Sequence, residues 1–321
     1  MILVCGEALI DLFVGEPDGT ALAARALAGG SLFNVAVGLA RLGLPVGFLG
    51  GVSTDRFGMF LAQAMAREGI GTTLLKRSAR PTPLAVVSTD AAGQPAYGFH
   101  AHDCAERDLV GADLPPPDPA VAAIALGSYT LAIEPVGSTL LAFAERESSR
   151  LVVSLDPNLR PSLVGDPDAW RQRFARFARA AAIIKLSRED LATAYGPDTD
   201  PAVWATRRLD EGALLVVITD GAAGATAYHR HHRLHRPAHP VAVVDTVGAG
   251  DTFHAALLAR LAQRGLLTRA ALAALDGAAL ADLVQYAIAA ASITCTRRGA
   301  DLPRHADVEH ALKGVSDVPR A

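Results

Sequence analysis

The segment Asp245-Thr246-Val247-Gly248-Ala249-Gly250-Asp251 decides how this chain is read. It follows a β-branched apolar run (Val241, Val243, Val244) and precedes Phe253, Ala256, Leu257 and Leu261 at helical spacing, closed by Gly265. The pattern predicts a strand, a glycine turn and a helix start meeting at one point. Two glycines let the backbone approach a ligand and aim N–H groups at it, and the helix start adds partial positive charge. Such a spot suits phosphate. Asp251 falls in the first turn, and a carboxylate beside an anion site suggests proton abstraction from a hydroxyl that attacks phosphorus. Two better-known phosphate loops are excluded. None of the lysines, Lys76, Lys185 and Lys313, follows a glycine, and Phe253 stands where a dinucleotide fingerprint needs its third glycine.

Outward from this turn, apolar runs of strand length alternate with helix-period segments. Strands are predicted at 2–5, 46–49, 121–126, 151–155, 183–186, 214–219 and 241–244, and helices at 34–42, 56–68, 137–147, 169–178 and 203–210. The alternation implies an α/β fold with a mostly parallel sheet and helices on both faces, its ligands gathering at the carboxyl ends of the strands. Segments 11–28 and 84–107 break the rhythm. Both read as short strands with turns (Asp18-Gly19, Ala92-Gly93), and Tyr97, Phe99 and Ala101 alternate as in a half-buried antiparallel sheet. They predict a small β lid on a core made of 1–10, 29–83 and 108–321. A lid would exclude water from a reactive phosphoryl group.

With 321 residues, 50% hydrophobic and 20% charged, the chain can bury a sizeable core. A net charge of −3 and 5% aromatics give no basic stripe and no stacking platform for nucleic acid. Cys5, Cys104 and Cys295 lie far apart, as expected of reduced thiols in a cytoplasmic protein. Met1 to Val14 is interrupted by Glu7 and Asp11 and reads as a strand, not a signal peptide. No run of about 18 consecutive apolar residues occurs, so no membrane span is expected. Five of the ten histidines lie between 229 and 239, where a solvated hairpin is expected rather than a metal site.

The turn resembles the second motif, D-T-x-G-A-G-D, of the PfkB (ribokinase-like) carbohydrate kinases, and other segments follow in that family's order. Gly29-Gly30-Ser31-Leu32-Phe33-Asn34 is similar to its first motif, with Leu32 in place of the usual proline; Asn34 alone could be an N-cap. Ser53 likewise stands where a glycine is frequent. Gly6-Glu7-Ala8-Leu9-Ile10-Asp11 resembles the G-E-x-L-x-D opening, and Asp156-Pro157-Asn158-Leu159-Arg160 the D-x-N-x-R of fructokinases and 2-keto-3-deoxygluconate kinases. Ser187 and Asp190 match N-x-x-E by substitution, although Ser187 and an acid three residues on also read as a capping box. Thr219, Gly221 and Gly224 resemble the strand end that holds the nucleotide, and Ile288 replaces an asparagine near the adenine.

The resemblance implies a ribokinase-like three-layer fold and an ATP-dependent sugar kinase, with fructokinase favoured. The alternatives are 2-keto-3-deoxygluconate kinase, another sugar kinase of the family, and a non-catalytic sugar or nucleotide sensor. It implies Asp251 as base and Gly248, Ala249 and Gly250 N–H groups as the anion site. Sugar contacts fall to Asp11, Gly29, Gly30, Asn34 and Arg160, with water-mediated Mg²⁺ at Asp190. A monovalent cation such as K⁺ is implied at Asp245 and the carbonyls of Val247 and Gly299. Small-molecule sugar and ATP are the expected partners, and lid-to-lid dimers are frequent in the family. The helix start is expected to keep Asp251 ionised.

Overall fold

The computed structural model describes residues 1–89 and 95–316, so the turn expected at Ala92-Gly93 lies outside the described residues. The chain opens with β1 (Ile2–Cys5), β2 (Leu9–Asp18), β3 (Ala21–Gly29), α1 (Ser31–Arg41), β4 (Val46–Ser53) and α2 (Arg56–Arg67). Strands β5 (Leu75–Ser78), β6 (Leu84–Thr89), β7 (Pro95–His100) and β8 (Ala123–Gly127) follow, then α3 (Val136–Glu147) and β9 (Val152–Asp156). Next come α4 (Pro161–Val164), α5 (Pro167–Ala180), β10 (Ile183–Ser187), α6 (Arg188–Tyr195) and α7 (Pro201–Asp210). Strands β11 (Leu215–Thr219), β12 (Ala225–Tyr228) and β13 (Arg233–Arg236) complete the strand set, and α8 (Ala249–Gln263), α9 (Arg269–Ala273), α10 (Gly277–Cys295) and α11 (His305–Ser316) close the chain.

Nine strands form one sheet in the order β13-β12-β11-β10-β9-β8-β1-β4-β5, parallel from β5 through β11 and antiparallel at β12 and β13. Strand alternation sends side chains to two cores. Ile2, Val4, Ala123, Ala125, Val152, Leu215 and Val217 pack under α1, α8 and α10, while Leu3, Cys5, Ile124, Leu126, Val153, Val216 and Ile218 pack under α3, α5 and α7. Alanines at 123, 125, 225 and 227 on the first face leave room for alanine-rich α8 and α10 to sit close. The result is the expected three-layer α/β/α arrangement. A second sheet, β3-β2-β6-β7, stands apart with β2 and β6 parallel and the outer pairs antiparallel.

One expectation fails. Residues 241–244 are not a strand; Val241, Val243 and Val244 are 38%, 61% and 57% exposed. The segment is tethered by its backbone, Val244 N–H donating to the Cys295 carbonyl at 2.8 Å. A loop, not a strand, therefore feeds the glycine turn. Helix α10 has the length and mean hydropathy (1.5) of a membrane span, but it lies against α8 with Leu283, Val284, Ala287 and Ile288 buried in the core. The histidine segment forms the β12–β13 hairpin, and within it His229 is buried, its Nε2 3.1 Å from the Leu272 carbonyl.

Candidate active site

Because β1, β8, β9, β10 and β11 are parallel, their carboxyl ends deliver Glu7, Ser128, Asp156, Ser187 and Thr219 to one edge. Helix α8 starts above this edge. Gly248 is its N-cap with φ 78°, a left-handed geometry that a side chain would strain, and an added Cβ would lie 2.6 Å from that of Ala300. The first intrahelical bond is Thr252 N–H to the Gly248 carbonyl, so the N–H groups of 249–251 have no intrahelical acceptor. Ala249 turns its N–H to the Thr246 carbonyl at 3.2 Å. That engages one of the three donors assigned from sequence, Ala249.

Asp251 is 7% exposed. Its Oδ1 accepts from the Ser31 hydroxyl at 2.6 Å and its Oδ2 from Asn34 Nδ2 at 2.9 Å. Both donors come from the start of α1, whose N-cap is Gly30; Asn34 is thus inside the helix, not its cap. Burial raises the Asp251 pKa above its ordinary value, against the lowering effect of these two donors and of the Lys185 and Arg160 charges. The helix start alone therefore does not set its ionisation. Asp11 on β2 lies close enough to feel the Asp251 charge, and burial followed by that charge pushes its carboxyl up to about 6. Its Oδ2 occupies the space a side chain at Gly29 would need, and a Cβ at Gly30 would crowd the Glu7 carbonyl at 3.2 Å. Arg160 is half-buried after β9 and acts electrostatically on both Asp11 and Asp251. The sugar-side candidates are thus gathered around one carboxylate.

The model of the pfkB family carbohydrate kinases matches residues 1–307. The chain belongs to that family. A fructokinase from Rhizobium leguminosarum bv. trifolii is 39% identical over 283 residues, 87% of this chain and 85% of that protein. A fructokinase from Klebsiella pneumoniae is 36% identical over 315 residues, 97% and 99%. The crystal structure of a fructokinase with bound ATP from Xylella fastidiosa superposes with TM-score 0.90 at 28% identity, covering 98% of this chain and 99% of that one. A fructokinase from Vibrio cholerae O395, in its fructose-, ADP- and calcium-bound form, superposes with TM-score 0.82 at 27% identity, covering 97% and 98%. The chain is a sugar phosphotransferase of the pfkB family.

In this pfkB kinase the nucleotide-side candidates Ser187 and Thr219 end β10 and β11, and the capping box that Ser187 also suggested is present. Ser187 and Asp190 form a capping box on α6, and the second Asp190 oxygen accepts the Leu159 N–H at 2.8 Å. Ile288 is 3% exposed and faces the core rather than open space, because α10 turns it toward α8. Thr219 ends β11, and Gly221 and Gly224 take φ values of 49° and 97° in the turn that follows. The monovalent-cation candidates are brought together: Asp245 accepts from Val247 N–H at 3.0 Å and from Gly299 N–H at 2.8 Å, although the Gly299 carbonyl already accepts from Asp301.

Three residues given no role from sequence join the site. Glu7 accepts the Ser31 N–H at 2.9 Å, and burial pushes its carboxyl up to about 8. Lys185 is buried and pairs with Asp156 at 2.7 Å, its ammonium 3.2 Å from where a Gly250 side chain would begin. A lysine inside the apolar run 183–186 is itself a signal, since buried lysines need a charged partner. Ser31 carried no signal, because its partner lies 220 residues away.

Proposed function

We propose that this pfkB kinase is a fructokinase, transferring the γ-phosphoryl group of ATP to a primary hydroxyl of D-fructose with Asp251 as base. The observation that carries the reading is the buried Asp251 carboxylate in the first turn of α8, just after the Gly248–Gly250 turn, hydrogen-bonded by Asn34 and within electrostatic reach of Asp11 and Arg160. Asp11 and Asn34 orient the sugar. A carboxylate accepts several hydrogen bonds and therefore selects against analogues lacking a hydroxyl. As the sugar oxygen bonds to phosphorus, its proton passes to Asp251 and the bond to the bridging oxygen breaks, releasing ADP. The Gly248 and Gly250 N–H groups of the turn, with the Lys185 charge, stabilise the developing negative charge.

Mg²⁺, when bound, neutralises charge on the β- and γ-phosphates. Asp190 would hold it through water, as this ion's tight hydration favours. The fit is supported by Asp156 Oδ1, buried without a hydrogen-bond partner among the described residues and within electrostatic reach of Asp190. Asp245, with the carbonyls of Val247 and Gly299, would hold K⁺. The second sheet acts as the lid, shielding the sugar from water.

Steady-state ATP consumption with D-fructose, ribose, 2-keto-3-deoxygluconate and adenosine tests the substrate. D-fructose is expected to give the highest kcat/KM. A preference for the keto acid that disappears in Arg160→Ala would move the assignment to 2-keto-3-deoxygluconate.

A further inference from the structure

Ser31 opens α1 and makes two contacts at once. Its N–H donates to Glu7 Oε1 at 2.9 Å, and its hydroxyl donates to Asp251 Oδ1 at 2.6 Å. Glu7 thereby fixes where the serine backbone sits, and the serine hydroxyl fixes where the Asp251 carboxylate points. Asn34 holds the other oxygen, but in the proposed reaction its amide also serves the sugar. Ser31 is 9% exposed, and its bond to Asp251 is buried.

We propose that Ser31 is a positioning residue for the phosphoryl-transfer reaction, holding one oxygen of Asp251 so that the carboxylate presents its remaining lone pairs to the sugar hydroxyl. The proposal rests on the reading of Asp251 as base. The helix seam itself does not need the serine: α1 and α8 meet through Gly38, where an added Cβ would lie 2.8 Å from Ala255 Cβ and 2.6 Å from Leu302. A buried carboxylate oxygen without its donor loses a charge-assisted bond, the stronger class of hydrogen bond. The carboxylate also sits in a crowded field. Glu7 after β1, Asp11 on β2 and Asp156 on β9 carry carboxyls coupled to it, while Lys185 on β10 and Arg160 after β9 oppose them with positive charge. Glu7 is held neutral by burial, so Asp11 and Asp156 are the opposing charges, and a donor to the ionised form of Asp251 matters.

The test is a double-mutant cycle. Ser31→Ala should lower kcat about tenfold, with fructose and ATP affinity by calorimetry close to the parent. It should also move the acid limb of the kcat profile upward by roughly one pH unit, because the donor favours the charged form. Ser31→Cys keeps the bulk with a weaker donor and should fall between the two; it carries the test alone if the alanine variant does not fold. In an Asp251→Asn background, Ser31→Ala should cost nothing further, since it acts through the missing carboxylate. A kcat within twofold of the parent with an unmoved limb overturns the proposal. So does an equal loss in both backgrounds. Parent-like turnover by Asp251→Asn alone instead contradicts the base reading, and takes this proposal with it.

Discussion

Glu7, Glu106 and Asp156 are each under a tenth exposed, and burial pushes their carboxyls up to about 8, 7 and 6 respectively. Loss of water penalises the charged form, and the few donors present do not compensate. A carboxyl raised on folding keeps its proton in the native state after the unfolded chain has released it. For Glu7 that window runs from the ordinary carboxyl value of 4.5 to about 8, so its effect on stability becomes steadily unfavourable as pH rises through it. Glu7→Gln removes the titration while keeping an oxygen for the Ser31 N–H. The difference in Tm between variant and parent should therefore shift in favour of the variant between about pH 5 and pH 8. Parallel Tm curves across that range would show that Glu7 is not held neutral by burial.

At the scale of elements, the site draws on the end of β1 into β2, the start of α1, the start of α8 and the carboxyl ends of β9 and β10. Helix α8 is rigidly placed, with ten buried residues from Asp251 to Leu261 in the core between the sheet and α10. The second sheet differs. Residues 15–25, in the outer parts of β2 and β3, are exposed throughout, so little apolar burial holds that end in place. Asp11 ties its inner end to the site, paired in register with Leu27 of β3 and Ala85 of β6. If this sheet closes on the sugar, amides of β2, β3 and β6 should exchange more slowly when D-fructose is bound. Hydrogen exchange measured with and without sugar decides it, and identical rates in these strands would rule out a lid role.

Across the whole molecule, the sheet was legible because parallel strands buried on both faces are continuous apolar runs. Ile2–Cys5 was read to the residue and four others to within two residues at either end, while β4 runs four residues beyond its expected end. The same logic misread 241–244, since three valines in an exposed loop look like a strand when only side-chain type is counted. It placed the start of α1 at Asn34 because a glycine N-cap offers no polar side chain to mark the true start at Ser31. Asp251, Asn34, Asp11 and the glycine pair were each recognisable locally, and the fold brings them together. What no local pattern encodes is who touches whom at long range. The Ser31–Asp251 bond, the Lys185–Asp156 pair and the core-facing side of Ile288 depend on how α1, β10 and α10 pack. The account as a whole converges on Asp251, to which α1, β9, β10 and α8 all contribute. Asp251→Asn preserves size and the helix N-terminus but cannot take the hydroxyl proton. Fructose-dependent ADP formation by this variant, with ATP affinity measured by calorimetry, tests the claim most directly. The predicted result is a kcat lower by about 10²–10⁴-fold with ATP affinity close to the parent; turnover near the parent rate, or loss of ATP binding, would contradict it.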